Sequence, residues 1–364
     1  MNANTSRPHP DRPDEHARRL LSGTARDLPT GRHEFHKERL MAQIHEQQQD
    51  ERTTPSPAPR RRLRLPRPSI ALPLVAVAIA GAVVLGVVQD DGSGVRRSPL
   101  ATGPVLTIPV GGTSTKGVPQ LLDRISAAAG EKSHPVLKPG QFVYIESRVS
   151  DTFKHTANGK TTMASHAPHR RQVWSSADGA EGWLIDAAVN ESPEGETLSL
   201  PDENGNTPEA DLNAPSHEYL SELTTDPDEL LAKIYKETKG MGNTPDQQAF
   251  STIGDLLGQS YPPAELSAAL LKTASKIPGV VMVDQAVDAE GRKGVAVARV
   301  DEYNGRREEW IFDRKTHAYL GSRTVQVGPA PGEDAELYKP GMVLHTSAIL
   351  TRAVVDGMRE VPTG

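Results

Sequence analysis

The feature that most constrains the fold of this sequence is a charge-free run of twenty residues, Ser69 to Val88 (SIALPLVAVAIAGAVVLGVV). In a helix, twenty residues extend about 30 Å, which equals the hydrocarbon thickness of a bilayer. Pro73 falls in the first turn, where a missing N–H is tolerated, and Ser69 can cap that turn. The run therefore predicts a transmembrane helix over 69–88.

The residues that flank this run predict its orientation. Gln89, Asp90 and Asp91 follow it, whereas five arginines precede it: Arg60, Arg61, Arg62, Arg64 and Arg67. Because Lys and Arg are retained on the cytoplasmic side, we expect a single-pass protein of the cell membrane with a cytoplasmic N-terminus. A cleaved signal peptide is the alternative, but 68 residues before the apolar run are far too many for its charged N-terminal region.

Small residues recur at a spacing of four along the predicted span. Ala78, Ala82 and Gly86 form this stripe, which could pair two spans in a dimer. Alanine-rich spans often show such a spacing by chance, so the oligomeric state stays open.

Charge and aromatic residues divide the chain at the same place. Residues 1–68 contain 14 Lys and Arg against 9 Asp and Glu, whereas the chain beyond Val88 is acidic enough to bring the net charge to −6. Phe35 is the one aromatic residue before the span. A large hydrophobic core is therefore expected only on the outer side.

The 364-residue chain contains no cysteine, and this excludes several classes of chemistry. Disulfide frameworks, thiolate catalysis, iron–sulfur ligation and cysteine-ligated zinc all require that residue. An exported domain of this chain must therefore be stabilised by its core alone.

The segment before the span has too few apolar residues for a domain. We expect a cytoplasmic tail over 1–54 with one or two short helices, and a linker rich in Pro and Arg over 55–68. Within the tail, 32–50 has a narrow apolar stripe of helical spacing. Residues 14–50 could thus dock on a cytoplasmic partner, or the tail could be loosely ordered.

Beyond the span, 89–117 is rich in Gly, Ser and Pro and predicts a flexible tether, followed by an extracytoplasmic α+β domain over 118–364. Apolar residues at helical spacing, with prolines near the first turn and glycines near some of the ends, predict helices over 118–129, 227–239, 245–259 and 262–277. Strand-like runs cover 141–150, 152–164, 170–176, 182–189, 280–287, 294–303, 306–313, 319–327 and 342–355. With hairpin turns such as Asn304-Gly305, they predict an antiparallel, half-barrel-like meander of eight or nine strands with a helical insertion.

Catalytic templates are absent from the sequence, since no G-x-S-x-G, H-E-x-x-H or S-x-x-K occurs in a suitable context. His166 and His169 form a pair without identifiable partners for a metal. The adjacent carboxylates at 301–302 and 308–309 are expected to be solvated or paired with arginines. We therefore predict no catalytic residues, no cofactor and no metal site, and we do not expect direct binding to nucleic acid; an enzyme of unknown class remains an alternative.

Aromatic residues provide the one positive indication of a binding surface in the outer domain. They fall on shared faces of neighbouring strands: Phe142, Tyr144, Trp174, Trp183, Trp310 and Phe312. These side chains could simply form the core under the helices. They could instead line a groove on the concave face of a curved sheet that holds a lipid, a lipopeptide or a peptide.

Several segments resemble a family of single-span actinobacterial membrane proteins, of uncharacterised activity, often encoded beside extracytoplasmic-function sigma factors. The resemblance is carried by GRHEFHKERLMAQI (31–44), the span, TTDPDELLAKIYKETKG (224–240), AFSTIGDLL (249–257), KIPGVVMVDQAVDAEGRKGVAVAR (276–299) and EEWIFDRKT (308–316). The order of helix and strands from Leu121 to Phe142 also resembles the half-barrel of periplasmic lipoprotein carriers and related sigma-regulatory sensor proteins. That likeness is architectural.

The resemblance says little about activity, and our first hypothesis from the predicted span, tail and outer domain is a membrane-anchored extracytoplasmic sensor or regulator. Its outer domain would bind an envelope ligand, and residues 14–50 would act on a cytoplasmic protein such as a sigma factor. An anchored lipid or lipoprotein carrier, in which the tail has no signalling role, is the alternative.

Overall fold

The computed structural model describes residues 100–363, except for 133–135, 158, 191, 200–205 and 208. The predicted tail, linker and span, together with 89–99 of the predicted tether, lie outside the described residues. None of the helices in the described part combines the length and the apolar character needed to cross a bilayer. The predicted span at 69–88 is not among the residues to which that finding applies.

The described part is an α+β fold built on one antiparallel sheet of eleven strands. The strands are β1 (Thr102–Gly103), β2 (Phe142–Ala157), β3 (Lys160–His166), β4 (His169–Ser176), β5 (Gly182–Asp186), β6 (Glu196–Thr197), β7 (Val280–Val287), β8 (Lys293–Asp301), β9 (Arg306–Phe312), β10 (Tyr319–Gln326) and β11 (Val343–Val355). Their order is β6-β5-β4-β2-β11-β10-β9-β8-β7, with β3 paired to β2 and β1 paired to β3.

The α+β class and the antiparallel sheet are confirmed, and the count of eight or nine strands is too low. Strands β7 to β11 are a meander, whereas β2 lies between β4 and β11. The two additional strands, β1 and β6, have two residues each, too few for any periodicity. In addition, β2 runs unbroken through Asp151, where the sequence predicts a boundary between two strands. The chain turns back only at Gly159, whose φ of 73° suits the left-handed region.

The described residues form five α-helices, one between β1 and β2 and four between β6 and β7. They are α1 (Val118–Gly130), α2 (His217–Glu222), α3 (Pro227–Glu237), α4 (Pro245–Gln259) and α5 (Ala264–Ala274). Asp226 caps α3 by accepting hydrogen bonds from the amides of Asp228 and Glu229, as its position before a proline predicts. The six-residue α2 is the helix that sequence periodicity does not reveal.

One face of the sheet packs against α1, α2, α3, α4 and α5, and we call it the helical face. Its core includes Val297, Trp310 and Phe312 from the strands and Leu122 and Phe250 from the helices, all at most 1% exposed. Trp310 and Phe250 stack with ring centroids 3.9 Å apart and planes 9° apart. Gly254 permits this packing, because a Cβ there would lie 2.3 Å from the Trp310 Nε1 atom.

The sheet curls so strongly that its β7–β8 end reaches back to its middle. In the strand order, five places separate β7 from β2, yet Glu290 in the β7–β8 turn lies 2.9 Å from the Arg148 guanidinium of β2. Arg292 of the same turn donates to the Leu320 and Ile349 carbonyls at 2.8 and 2.9 Å. The β7–β8 turn therefore lies against the middle strands of the sheet on the face opposite the helices.

Candidate functional site

The six predicted groove residues do not share one surface. Trp310 and Phe312 lie on the helical face, where α4 and its neighbours cover them. Phe142, Tyr144 and Trp174 form a second cluster with Val355. Adjacent residues on a strand point to opposite faces, and Val143 and Ile145 of β2 line a small cavity with Leu220 of α2. The second cluster therefore lies on the face opposite the helices.

Both aromatic groups are packed rather than open. The Tyr144 and Trp174 rings lie 5.0 Å apart, and the Trp174 indole N–H donates to the Glu360 carbonyl at 2.6 Å. Trp183 is half-buried, with the Arg359 guanidinium 5.1 Å from its ring centre. Residues after β11 thus cover this cluster, so neither group forms a groove in the described structure.

A buried charged cluster occupies the face opposite the helices. Glu309 is fully buried, and its two carboxylate oxygens accept hydrogen bonds from the Nε atoms of Arg307 and Arg323, at 2.8 and 2.7 Å. Arg307 and Arg323 are 2% and 5% exposed. Of the two expectations for this carboxylate, solvation or pairing with arginines, the structure has the pairing: with Arg307 on the same strand and with Arg323 across from β9 to β10.

The neighbouring carboxylate of the predicted pair, Glu308, points to the helical face. It accepts hydrogen bonds from Ser251 of α4 at 2.7 Å and from the Trp310 indole at 3.1 Å. Asp301 similarly accepts from the Asn243 side chain. These carboxylates hold helices and turns on the sheet, and neither arrangement places two of them together for acid–base work.

Part of the predicted tether is bonded to the sheet, and we call residues 101–114 the strap. The strap begins beside β3, where Thr102 pairs with His166 and the Ala101 carbonyl accepts from the Ala167 amide at 2.9 Å. Next, Leu106 accepts from Val343 at 2.9 Å. From Ala101 onward, the predicted tether is thus hydrogen-bonded to the sheet.

The far half of the strap continues to the other edge of the sheet. Its Gly111 carbonyl accepts from Arg307 at 3.1 Å, so it contacts the buried charged cluster. Ser114 and Met282 of β7 then exchange two backbone hydrogen bonds, at 3.0 and 2.8 Å. The strap therefore touches β3, β11, β9 and β7 before the chain enters α1.

The predicted histidine pair lies at the strap's first attachment. His169 Nε2 is 2.8 Å from Asp186 Oδ1, and Arg171 donates to the other Asp186 oxygen at 3.0 Å. Burial disfavours charge on His169, but the hydrogen bond and negative charge of Asp186 outweigh it and raise the pKa of His169. Burial, with the charge of His169, lowers the pKa of His166.

His166 and His169 pack against different neighbours at this edge. In the described ranges, no group of three or more His, Asp or Glu side chains is placed to hold a metal ion. The His166 and His169 rings lie 6.2 Å apart, edge to face, and His166 packs on Phe153 at 4.4 Å. The two rings thus contribute packing, and His169 a charge pair with Asp186, beside β3.

A cleft of about 360 Å³ opens at the end of the sheet where the β8–β9 turn meets the loop after β10. It is lined by Lys154, Asn243, Tyr303, Asn304, Arg306, Ala330, Pro331, Gly332, Glu333, Asp334 and Tyr338. Beside the cleft, Gly305 lets the β8–β9 turn approach the loop after β10, because a Cβ there would lie 2.5 Å from the Gly328 and Pro329 backbone. Sequence reasoning missed this cleft, and the Asn304-Gly305 turn was its one local signal.

No protein-family model matches this sequence, and the comparison with curated proteins finds no match. The comparison with solved structures finds a chain of the Pseudomonas aeruginosa MucA/MucB complex, at 13% identity and a TM-score of 0.23. The match covers 67% of this chain and 59% of that chain, so it spans less than two thirds of the latter's length. A TM-score this low supports no conclusion about fold or function.

Proposed function

We propose that this chain is a membrane-anchored regulator whose domain at 118–364 lies outside the cell. In this proposal, the domain binds an envelope ligand, and residues 14–50 act on a cytoplasmic protein, with a sigma factor as the proposed partner. The observation that carries the proposal is the strap, because residues 101–114, which only residues 89–100 separate from the predicted span, form a series of bonds across the sheet.

The strap gives the outer domain a direct connection to the predicted span. Residues 89–99 alone separate the end of the span from the first described residues. A ligand that changes how β3, β9 or β11 holds the strap would therefore change the conformation of the chain close to the bilayer. Such a ligand acts by binding one arrangement of the strap better than the other.

The alternative of a lipid or lipoprotein carrier has less support from the described residues. A carrier needs a large apolar cavity, and both aromatic groups of the outer domain are covered by other parts of the chain. The cavity beside Val143 and Ile145 has a volume of only about 40 Å³. The larger cleft has charged and amide side chains in its wall, which suit a polar ligand.

Deletion of residues 1–50 tests the regulatory role. We expect RNA sequencing to show a coherent set of transcripts that changes when the deleted chain replaces the full chain at equal membrane levels. A finer variant replaces the apolar stripe by alanine at Phe35, Leu40 and Ile44. Its matched control replaces Gln47, Gln48 and Gln49, on the same predicted helix, by alanine.

The stripe variant should reproduce the effect of the deletion, and the glutamine control should leave transcription unchanged. An unchanged transcript profile in both the deletion and the stripe variant would contradict the regulatory role. Co-purification of lipid with the full chain, together with that unchanged profile, would favour the carrier.

A further inference from the structure

One cation in the wall of the cleft lacks an acidic partner in the described residues. Arg306 lies on the helical side of β9, and its guanidinium carbon is 5.4 Å from the centre of the Tyr338 ring. No described residue accepts a hydrogen bond from its Nε, and none of the ion pairs in that part of the chain includes it. A guanidinium stacked on a ring keeps its planar edge available for a ligand.

The second cation of the cleft is already paired. Lys154 Nζ lies 2.5 Å from Asp334 Oδ2, and this hydrogen bond raises the pKa of Lys154. Both partners are partly solvent-exposed, at 32% and 50% for their side chains. Because a solvated ion pair contributes little free energy, an incoming anion can compete with Asp334 for Lys154 at low cost.

The rest of the wall suits a small polar molecule with a ring or a chain of hydroxyls. Tyr303 is 65% exposed at the rim and presents an aromatic face. Asn243 and Asn304 add amide groups to the same wall. A volume of about 360 Å³ falls within the range of small-molecule sites, roughly 300–1,000 Å³.

We propose that this cleft binds a small ligand through an oxyanion, a carboxylate or a phosphoryl group, held by the guanidinium of Arg306. The fork of an arginine presents two parallel N–H donors to such a group, and Lys154 adds a point charge beside it. This inference rests on the proposed function, since it names the chemical class of the ligand that the outer domain binds.

Isothermal titration calorimetry of the full chain in detergent micelles tests the proposal with three probes. Glucuronate provides a carboxylate, glucose 6-phosphate provides a phosphoryl group, and glucose provides the same ring without charge. We expect saturable binding of at least one charged probe and no saturable binding of glucose. The charged probe that binds identifies the source of the oxyanion, and binding of neither charged probe would overturn the proposal.

Substitutions at Arg306 locate the binding. Arg306→Gln should weaken the binding of the charged probe at least tenfold, because charge and fork are both lost. Arg306→Lys keeps the charge and loses the fork, so we expect an intermediate loss. The matched control is Arg124→Gln, which removes one exposed guanidinium from α1 and should leave binding unchanged.

The proposal would be overturned if the wild type, the Arg306→Lys variant and the Arg306→Gln variant all bound the charged probe with equal affinity. The lysine variant keeps the test valid if the glutamine variant fails to fold, which its thermal unfolding curve would reveal. Failure here is distinguishable from failure of the proposed function. A transcript profile that still responds to the deletion of 1–50 would preserve the regulatory role and reject only this ligand site.

Discussion

The helical face and the opposite face of the sheet both contain apolar clusters, but they differ in the buried charge that they hold. On the helical face, Trp310 stacks on Phe250 within a continuous apolar core. On the opposite face, Glu309 lies between two arginines, and one of these also binds the strap. Burial of apolar side chains stabilises the fold without requiring a particular orientation of each contact. A buried ion cluster, in contrast, requires particular hydrogen-bond geometry from each partner. The helical face thus has a continuous apolar core, whereas the opposite face combines apolar clusters with a buried charged cluster that contacts the strap.

The net charge of the buried cluster sharpens this difference. Two arginines share one carboxylate, so Arg307, Glu309 and Arg323 together keep one excess positive charge out of water. The carbonyl of Gly111 at 3.1 Å from Arg307 offers a partial negative charge to it. The strap is thus an electrostatic partner of the cluster as well as a backbone partner of the strands.

The largest effect is expected on the helical face. Trp310→Ala should lower the free energy of unfolding by about 3–5 kcal/mol, because it removes a fully buried ring and leaves a cavity beside Phe250. Circular dichroism of the full chain during thermal unfolding measures the loss. Tyr303→Ala removes an exposed aromatic ring and should cost little, and equal losses in both variants would contradict the assigned core.

The buried cluster should respond almost as strongly to the loss of its carboxylate. Glu309→Gln leaves two buried guanidinium groups without a counter-charge, and we expect a loss of roughly 3 kcal/mol. Replacing all three residues together, as Arg307→Met, Glu309→Leu and Arg323→Met, should be far less costly, since no buried charge remains. Thermal unfolding followed by tryptophan fluorescence measures both variants, and a triple variant less stable than Glu309→Gln would contradict this account.

Two glycines allow the faces to be compared with one kind of substitution. Gly254→Ala should destabilise the fold by about 1–3 kcal/mol, because its Cβ meets the Trp310 ring. Gly341→Ala places a Cβ 2.4 Å from the Ile108 carbonyl at a φ of 90° and should instead loosen the strap. Amide hydrogen exchange should therefore become faster in α4 in the Gly254→Ala variant and at 106–114 in the Gly341→Ala variant. The reverse pattern would contradict the positions assigned to these two glycines.

The smallest effects concern the two histidines at the strap's first attachment. His169 has a raised pKa in the folded state, so its stabilisation is full below its unfolded pKa of about 6.5 and is lost as pH rises through the folded pKa. The loss of stability in His169→Gln should therefore be larger at pH 5.5 than at pH 8. Melting temperatures across this pH range measure it.

His166 should show the opposite dependence. Its pKa is lowered in the folded state, so the fold loses stability as pH falls toward that value. The stability of the His166→Phe variant relative to the wild type should therefore be higher at pH 5.5 than at pH 8. The charged groups around the pair are Asp151, Asp186 and Arg171. Parallel pH profiles for the two variants would contradict the assigned environments.

Much of the fold follows from local sequence signals. Prolines at the first turn of α3 and α4, the cap at Asp226 and the glycine turns fix the ends of these elements, so their predicted bounds agree closely with the structure. The strands β1 and β6 are too short to leave a pattern. Their pairing depends on distant segments that the fold brings alongside them.

The candidate site could be predicted much less well. The alternation of residues along β2 and β9 predicts which side chains of each strand share a face. It does not predict that Tyr144 and Trp310 lie on opposite faces of the sheet, because that depends on how the strands are ordered in it. The charge of Glu309 predicts a solvent-exposed side chain, whereas the curled sheet and its two arginine partners bury it. The cleft combines the end of β2, a hairpin turn and a distant loop, a combination that no local motif encodes.

The membrane topology is the premise on which the regulatory account depends, and the absence of cysteine makes it directly measurable. Single cysteines are introduced as Ser6→Cys in the predicted tail and as Ser275→Cys at an exposed position after α5. Intact cells are then treated with a membrane-impermeant maleimide. The account predicts labelling of Ser275→Cys in intact cells and of Ser6→Cys only after lysis. Labelling of Ser6→Cys in intact cells, or protection of Ser275→Cys until lysis, would contradict it.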